Sequence, residues 1–233
     1  MSVRLRYRWL LFALLASGAA ANAVAADDAK AWLARMNEAL TTRNYDGVFF
    51  HVHGGRVETM RIIHRVRDGS VMERLVSLDG SGREFVRTGT ELACYLPDKR
   101  TVLVERRPQE TTLLGNLPRF DESTEGFYDL KHVERARLMG RDTRVIAVLP
   151  KDGFRYGYRL WIDEATTMPL KTQLCDARGN VIEQIQFANL SLPREIADSE
   201  FRPQVDTEGY KWLRQESRQA RVAAGGASIV WRA

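Results

Sequence analysis

Apolar residues recur every three or four positions near the start of the chain, and from Tyr45 onward the period drops to two. Trp32, Leu33, Met36 and Leu40 fall at one-turn spacing behind Asp27 and Asp28, which are placed to cap, so residues 29–42 are predicted to form one amphipathic helix. Alternation then predicts strands over 45–53, 57–66, 71–78, 83–88, 91–97 and 101–106, and again over 127–138, 143–150, 154–162, 168–175 and 180–190. The breaks carry turn chemistry: Gly54-Gly55, Asp68-Gly69, Asp79-Gly80, Asp152-Gly153 and Arg178-Gly179-Asn180. Strands joined by such short turns must be antiparallel neighbours, because parallel ones need long crossovers. No helical pattern alternates with the strands, which excludes a doubly wound parallel sheet. The fold class is α+β, mainly antiparallel β, with one helix at its start.

Several strands have an apolar side. Val48, Phe50 and Val52 align on one, as do Tyr156, Tyr158, Leu160 and Ile162. Phe49, Ile146 and Trp161 make the opposite sides apolar too, so both faces are expected to be covered. A strongly curved sheet with the helix inside satisfies this, and so does a sandwich. Residues 107–126 interrupt the meander with an irregular stretch in which Leu113, Leu114, Leu117 and Phe120 form an apolar underside. Such a stretch is either a flap over a ligand or a surface loop tucked onto the sheet.

The ends read differently. Residues 1–25 combine Arg4, Arg6 and Arg8, an apolar run over 9–20 and an Ala23-Val24-Ala25 exit, the pattern of a cleaved secretory signal. The apolar run is too short to cross a bilayer, which takes about 20 residues. The arginines are not paired and no cysteine adjoins the exit, so the expectation is a soluble, Sec-exported protein without a lipid anchor. Losing those three arginines lowers the formal charge from +5 to +2, and with no reading module present a nucleic-acid partner is excluded. Residues 26–206 are expected to form the domain. Residues 207–233 read as a linker and the first strand, around Ile229-Val230-Trp231, of a second domain that is absent.

Candidate chemistry is sparse. His51 and His53 share one face of a strand and can contribute to a metal site, but such a site needs three or four ligands, and metal-dependent hydrolysis is the weakest reading. No nucleophile elbow, zinc motif or phosphate loop is present, so neither enzyme activity nor a cofactor is expected. Cys94 and Cys175 either pair across a long loop or fill small apolar strand positions. Arg61, Arg65, Arg83, Arg87, Arg106 and Arg107 offer guanidinium forks to phosphates or an acidic partner.

The strands also carry recognisable text: GFRYGYRLWID over 153–163, MPL over 168–170, DARGNVIE over 176–183, GREFVR over 82–87 and Asn44-Tyr45. Together with Val230-Trp231 these resemble the MucB/RseB family, periplasmic regulators of the sigma-E envelope-stress response. The W-x-D, P-L and D-x-x-G elements are shared with lipoprotein carriers of the LolA type. The resemblance implies a LolA/LolB-like curved half-barrel with an N-terminal helix and lid segments. It implies two ligands: the periplasmic domain of a membrane anti-sigma factor, shielded from site-1 proteolysis, and a lipid A, lipopolysaccharide or other acyl-chain signal that releases it. Phe50, Val52, Leu113, Leu114, Leu117, Phe120, Tyr158 and Leu174 are the candidate lipid contacts. The partner-binding residues and self-association into a homo-oligomer stay open, and a periplasmic lipid or lipoprotein carrier is the alternative reading.

Overall fold

The computed structural model describes residues 28–106, 113–114 and 126–215. Helix α1 spans residues 28–42, as the one-turn spacing predicts. Twelve strands follow: β1 (Tyr45–His53), β2 (Arg56–Arg67), β3 (Ser70–Ser77), β4 (Glu84–Thr88), β5 (Glu91–Leu96), β6 (Thr101–Arg106), β7 (Tyr128–Leu138), β8 (Arg141–Pro150), β9 (Gly157–Asp163), β10 (Pro169–Cys175), β11 (Val181–Ser191) and β12 (Lys211–Gln215). All belong to one sheet ordered β12-β6-β5-β4-β3-β2-β1-β11-β10-β9-β8-β7. The chain starts in mid-sheet, meanders out to β6, reappears at the far edge as β7 and meanders back until β11 pairs with β1. Two-residue turns with positive φ at both positions, Asp68-Gly69 and Met139-Gly140, set the β2–β3 and β7–β8 hairpins. The first carried its Asp-Gly signal in the sequence; the second, with methionine in the left-handed region, did not.

The sheet is curved and open. One core joins Trp32, Leu33, Met36 and Leu40 of α1 to Leu92 and Cys94 of β5 and to Ile146 and Val148 of β8. A flat sheet would hold β5 and β8 roughly 40 Å apart, at about 4.8 Å for each step between neighbours. A single helix touches both only because the sheet wraps around it. The concave face therefore carries Tyr45, Phe49 and His51 of β1, all buried.

The convex face of β2–β6 is covered by the chain that follows β11. Ile196 and Phe201 pack on Ile63 and Met72, while Val205 and Tyr210 pack over Val86, Tyr95, Val102 and Val104. Arg65 binds the Ile196 carbonyl at 2.8 Å and stacks 4.8 Å from the Phe201 ring. This strap ends as β12, parallel to β6 at the sheet edge, within the stretch read as a linker. Apolar residues on both faces thus reflect a helix inside and a strap outside.

Gly47 marks the tightest approach on β1. A Cβ there would sit 2.8 Å from the Asn189 carbonyl oxygen and 2.8 Å from the Phe187 ring. Beside it the β1–β11 register shifts between Val48 and Phe49, and the Asn189 side-chain oxygen accepts the Val48 amide at 2.8 Å. Gly47→Ala is expected to destabilise the fold by about 1–3 kcal/mol through overpacking, read as a lower urea midpoint at unchanged slope.

Candidate functional site

The concave face is apolar around a buried ionic group. Register places His64 opposite both Tyr45 and Glu73, and Glu73 opposite Arg87. The Glu73 carboxylate accepts His64 Nδ1 at 2.9 Å, Arg87 Nη1 at 3.1 Å and the Leu113 backbone amide at 3.0 Å. All three side chains are buried. Tyr45 stacks on the His64 ring at 4.5 Å, and burial, with Glu73 close by, pushes its hydroxyl pKa well above the ordinary range. A carboxylate removed from water is tolerable only with such a full set of donors. One of them comes from the 107–126 stretch, so Leu113 is tied to the floor of the concavity.

Leu113 and Leu114 both pack against the core shared by helix and sheet. Leu114 and Leu40 roof a small cavity whose other walls include Leu170, Thr172, Ile185 and Phe187. Its water-accessible volume is about 20 Å³, room for one water molecule and far less than an acyl chain needs. In this arrangement Leu114 and its neighbour Leu113 cover the part of the concave face around this cavity.

The other candidate contacts divide. Tyr158 packs against the same core, and register sets Leu174 opposite it on that face. Burial is the main cause that lifts the Tyr158 hydroxyl to about 12. Phe50 and Val52 are corrected: they point to the convex side, and Phe50 is 40% exposed. The buried side of β1 is Tyr45, Gly47, Phe49 and His51, whose glycine and histidine hid its apolar character. Leu117 and Phe120 lie outside the described residues, as do residues 1–25 and 216–233.

His51 Nε2 meets the Glu183 carboxylate at 3.0 Å, with Glu58 on its other side at 3.7 Å and the His53 ring stacked 6.3 Å away. Among the described residues no group of three side chains is arranged to hold a metal. Cys94 and Cys175 are buried thiols on β5 and β10, so of the two readings the structure has them in small apolar strand positions. Four of the singled-out arginines are engaged by partners within the protein, Arg65 and Arg87 buried and Arg61 and Arg83 partly exposed. Arg61 forks onto Asp46, Arg65 holds the strap, Arg83 pairs with Glu58 and Arg87 with Glu73.

Comparison with known proteins gives a consistent picture. Residues 28–205 match the MucB/RseB N-terminal domain. The chain is 37% identical over 183 residues to the sigma factor AlgU regulatory protein MucB of Pseudomonas aeruginosa, covering 78% of this chain and 56% of that protein. It is 28% identical over 179 residues to the sigma-E factor regulatory protein RseB of Escherichia coli K12, covering 77% of this chain and 56% of that protein. The solved complex of Pseudomonas aeruginosa MucA and MucB superposes with a TM-score of 0.61 at 33% identity, over 75% of this chain and 60% of that one. The chain thus spans a little over half the length of these relatives.

Two measurements follow from the geometry. Glu73→Ala leaves the Arg87 guanidinium buried without its carboxylate, and urea unfolding is expected to show a loss of about 3–5 kcal/mol. The second concerns His51, whose pKa the Glu183 hydrogen bond holds above 6.5, with burial opposing. The same contact holds Glu183 below 4.5. The histidine's contribution is therefore complete below 6.5 and lost as pH rises through its raised value, and the glutamate's is complete above 4.5 and lost as pH falls through its lowered value. Between about pH 6 and pH 8 the parent protein should lose stability that His51→Gln does not, in urea midpoints taken across that range.

Proposed function

The chain belongs to the MucB/RseB family, and from that premise we propose that it is a periplasmic regulator that binds the periplasmic part of a membrane anti-sigma factor. The match over residues 28–205 carries this reading. The MucB relative, solved together with MucA, supports the class of partner. In the proposed cycle the bound anti-sigma factor is shielded from site-1 proteolysis, and a lipid or lipopolysaccharide signal in the half-barrel releases it.

The concave face supports a lipid as that signal. Its walls are apolar side chains from α1, β9, β10 and β11, and apolar burial is worth about 0.8 kcal/mol per methylene. The cavity is nearly full, so an acyl chain takes the place of Leu113 and Leu114 and does not simply add to them. Lipid binding then draws the Leu113 amide from Glu73. This is the differential interaction a switch requires, because a ligand shifts a conformational equilibrium only by binding its two states unequally.

Titration calorimetry of the chain with the anti-sigma periplasmic segment, with and without a lipid A fragment, tests the proposal. Binding that lipid weakens is expected; no binding, or binding indifferent to lipid, contradicts it. Leu113→Ala with Leu114→Ala should raise lipid affinity by about tenfold, since less apolar surface has to be displaced. A carrier would instead pass lipid to acceptor vesicles with no effect on the anti-sigma segment.

A further inference from the structure

Four apolar side chains stand out of one corner of the sheet. Phe154, at the tip of the β8–β9 hairpin, is 97% exposed; Tyr156 is 51% exposed and Phe127 46%, and Leu149 near the end of β8 is exposed too. Single exposed apolar residues need no explanation, but four gathered at one end of β7, β8 and β9 do. The corner is also built to stay in place. The Lys151 amide binds the Phe127 carbonyl at 2.9 Å, joining the hairpin to the start of β7. The Phe154 amide binds the Asp152 carboxylate at 3.0 Å in a local turn that turns its ring outward. The Arg155 guanidinium lies 4.0 Å over the Phe127 ring.

Behind this tip is a basic collar. Across the strands, Lys131 of β7 and Arg159 of β9 both stand opposite Ala147, two pairs further in than Asp129 and Leu149. Both cations are exposed. Counting Lys151 and Arg155, the corner holds four cations against Asp129 and Asp152.

We propose that this corner docks on the surface of an anionic lipid bilayer, with Phe154 and Tyr156 inserted at the headgroup boundary and Lys131 and Arg159 against the phosphates. A protruding tip fits an interface that yields around it, and an apolar tip with a basic collar is the chemistry of interfacial binding. A protein partner would need a pocket shaped for Phe154. The proposal goes beyond the lipid-signal reading: it concerns the bilayer surface, not the occupant of the concave face.

Flotation of the purified chain with vesicles tests it, comparing vesicles that contain phosphatidylglycerol with vesicles of phosphatidylcholine alone. Binding is expected to the anionic vesicles, with salt weakening it. Phe154→Asp should lower the bound fraction about tenfold or more, and Lys131→Glu with Arg159→Glu should abolish the preference for phosphatidylglycerol. Phe154 touches no core residue, so its variant should keep the parent's thermal midpoint, which controls for folding. No flotation by the parent chain overturns the proposal, and so does flotation of Phe154→Asp at the parent's level. If Phe154→Asp floats normally but no longer captures the anti-sigma segment, the corner is a protein-docking site and the bilayer proposal is wrong. A chain that binds soluble lipid A fragments yet ignores vesicles would leave the lipid-signal reading intact and remove only this one.

Discussion

A carboxylate with no access to water has to be surrounded by donors, and in this protein that requirement organises the concave face. Glu73 draws a histidine from β2, an arginine from β4 and a backbone amide from Leu113. Neighbouring strands already hydrogen-bond along their length, so the first two contacts add little to topology. The third reaches 40 residues along the chain and ties the crossover between the sheet edges to the middle of the sheet. A neutral residue at Glu73 would pack with less penalty, but it would leave the Leu113 amide without that acceptor.

The same geometry closes part of the concave face of the sheet. Wrapping twelve strands around one fifteen-residue helix leaves the concave surface partly uncovered, and the helix side chains reach only part of it. Leu113 and Leu114 cover the region near β10 and β11. There they take apolar surface out of water, so that part of the core is packed by the chain itself.

Much of this was legible from the alternation of side chains. Strand positions were set by short Gly-containing turns and by period two, both local properties, and the helix by its one-turn apolar spacing. The sides of β1 were not, because Val48-Phe50-Val52 is the more apolar row, yet Tyr45-Gly47-Phe49-His51 is the row that faces the helix. Curvature and the outer strap decide that, and neither is a local property. The strap after β11 has no period, since Ile196, Phe201, Val205 and Tyr210 are irregularly spaced residues that pack over five strands, so alternation does not reveal it. The arginines read as ligand-seeking because their carboxylate partners lie on other strands or on the strap. The apolar character of Leu113 and Leu114 is plain in the sequence, but only the fold shows that they pack on the core shared by helix and sheet.

Hydrogen–deuterium exchange at the Leu113 amide, with and without a bound lipid A fragment, tests the central claim most directly. If the acyl chain and the two leucines share the concave face, lipid should accelerate exchange at Leu113 while the amides of β3 and β4 keep their protection. Lipid bound at full occupancy with the Leu113 amide unchanged or better protected would contradict it.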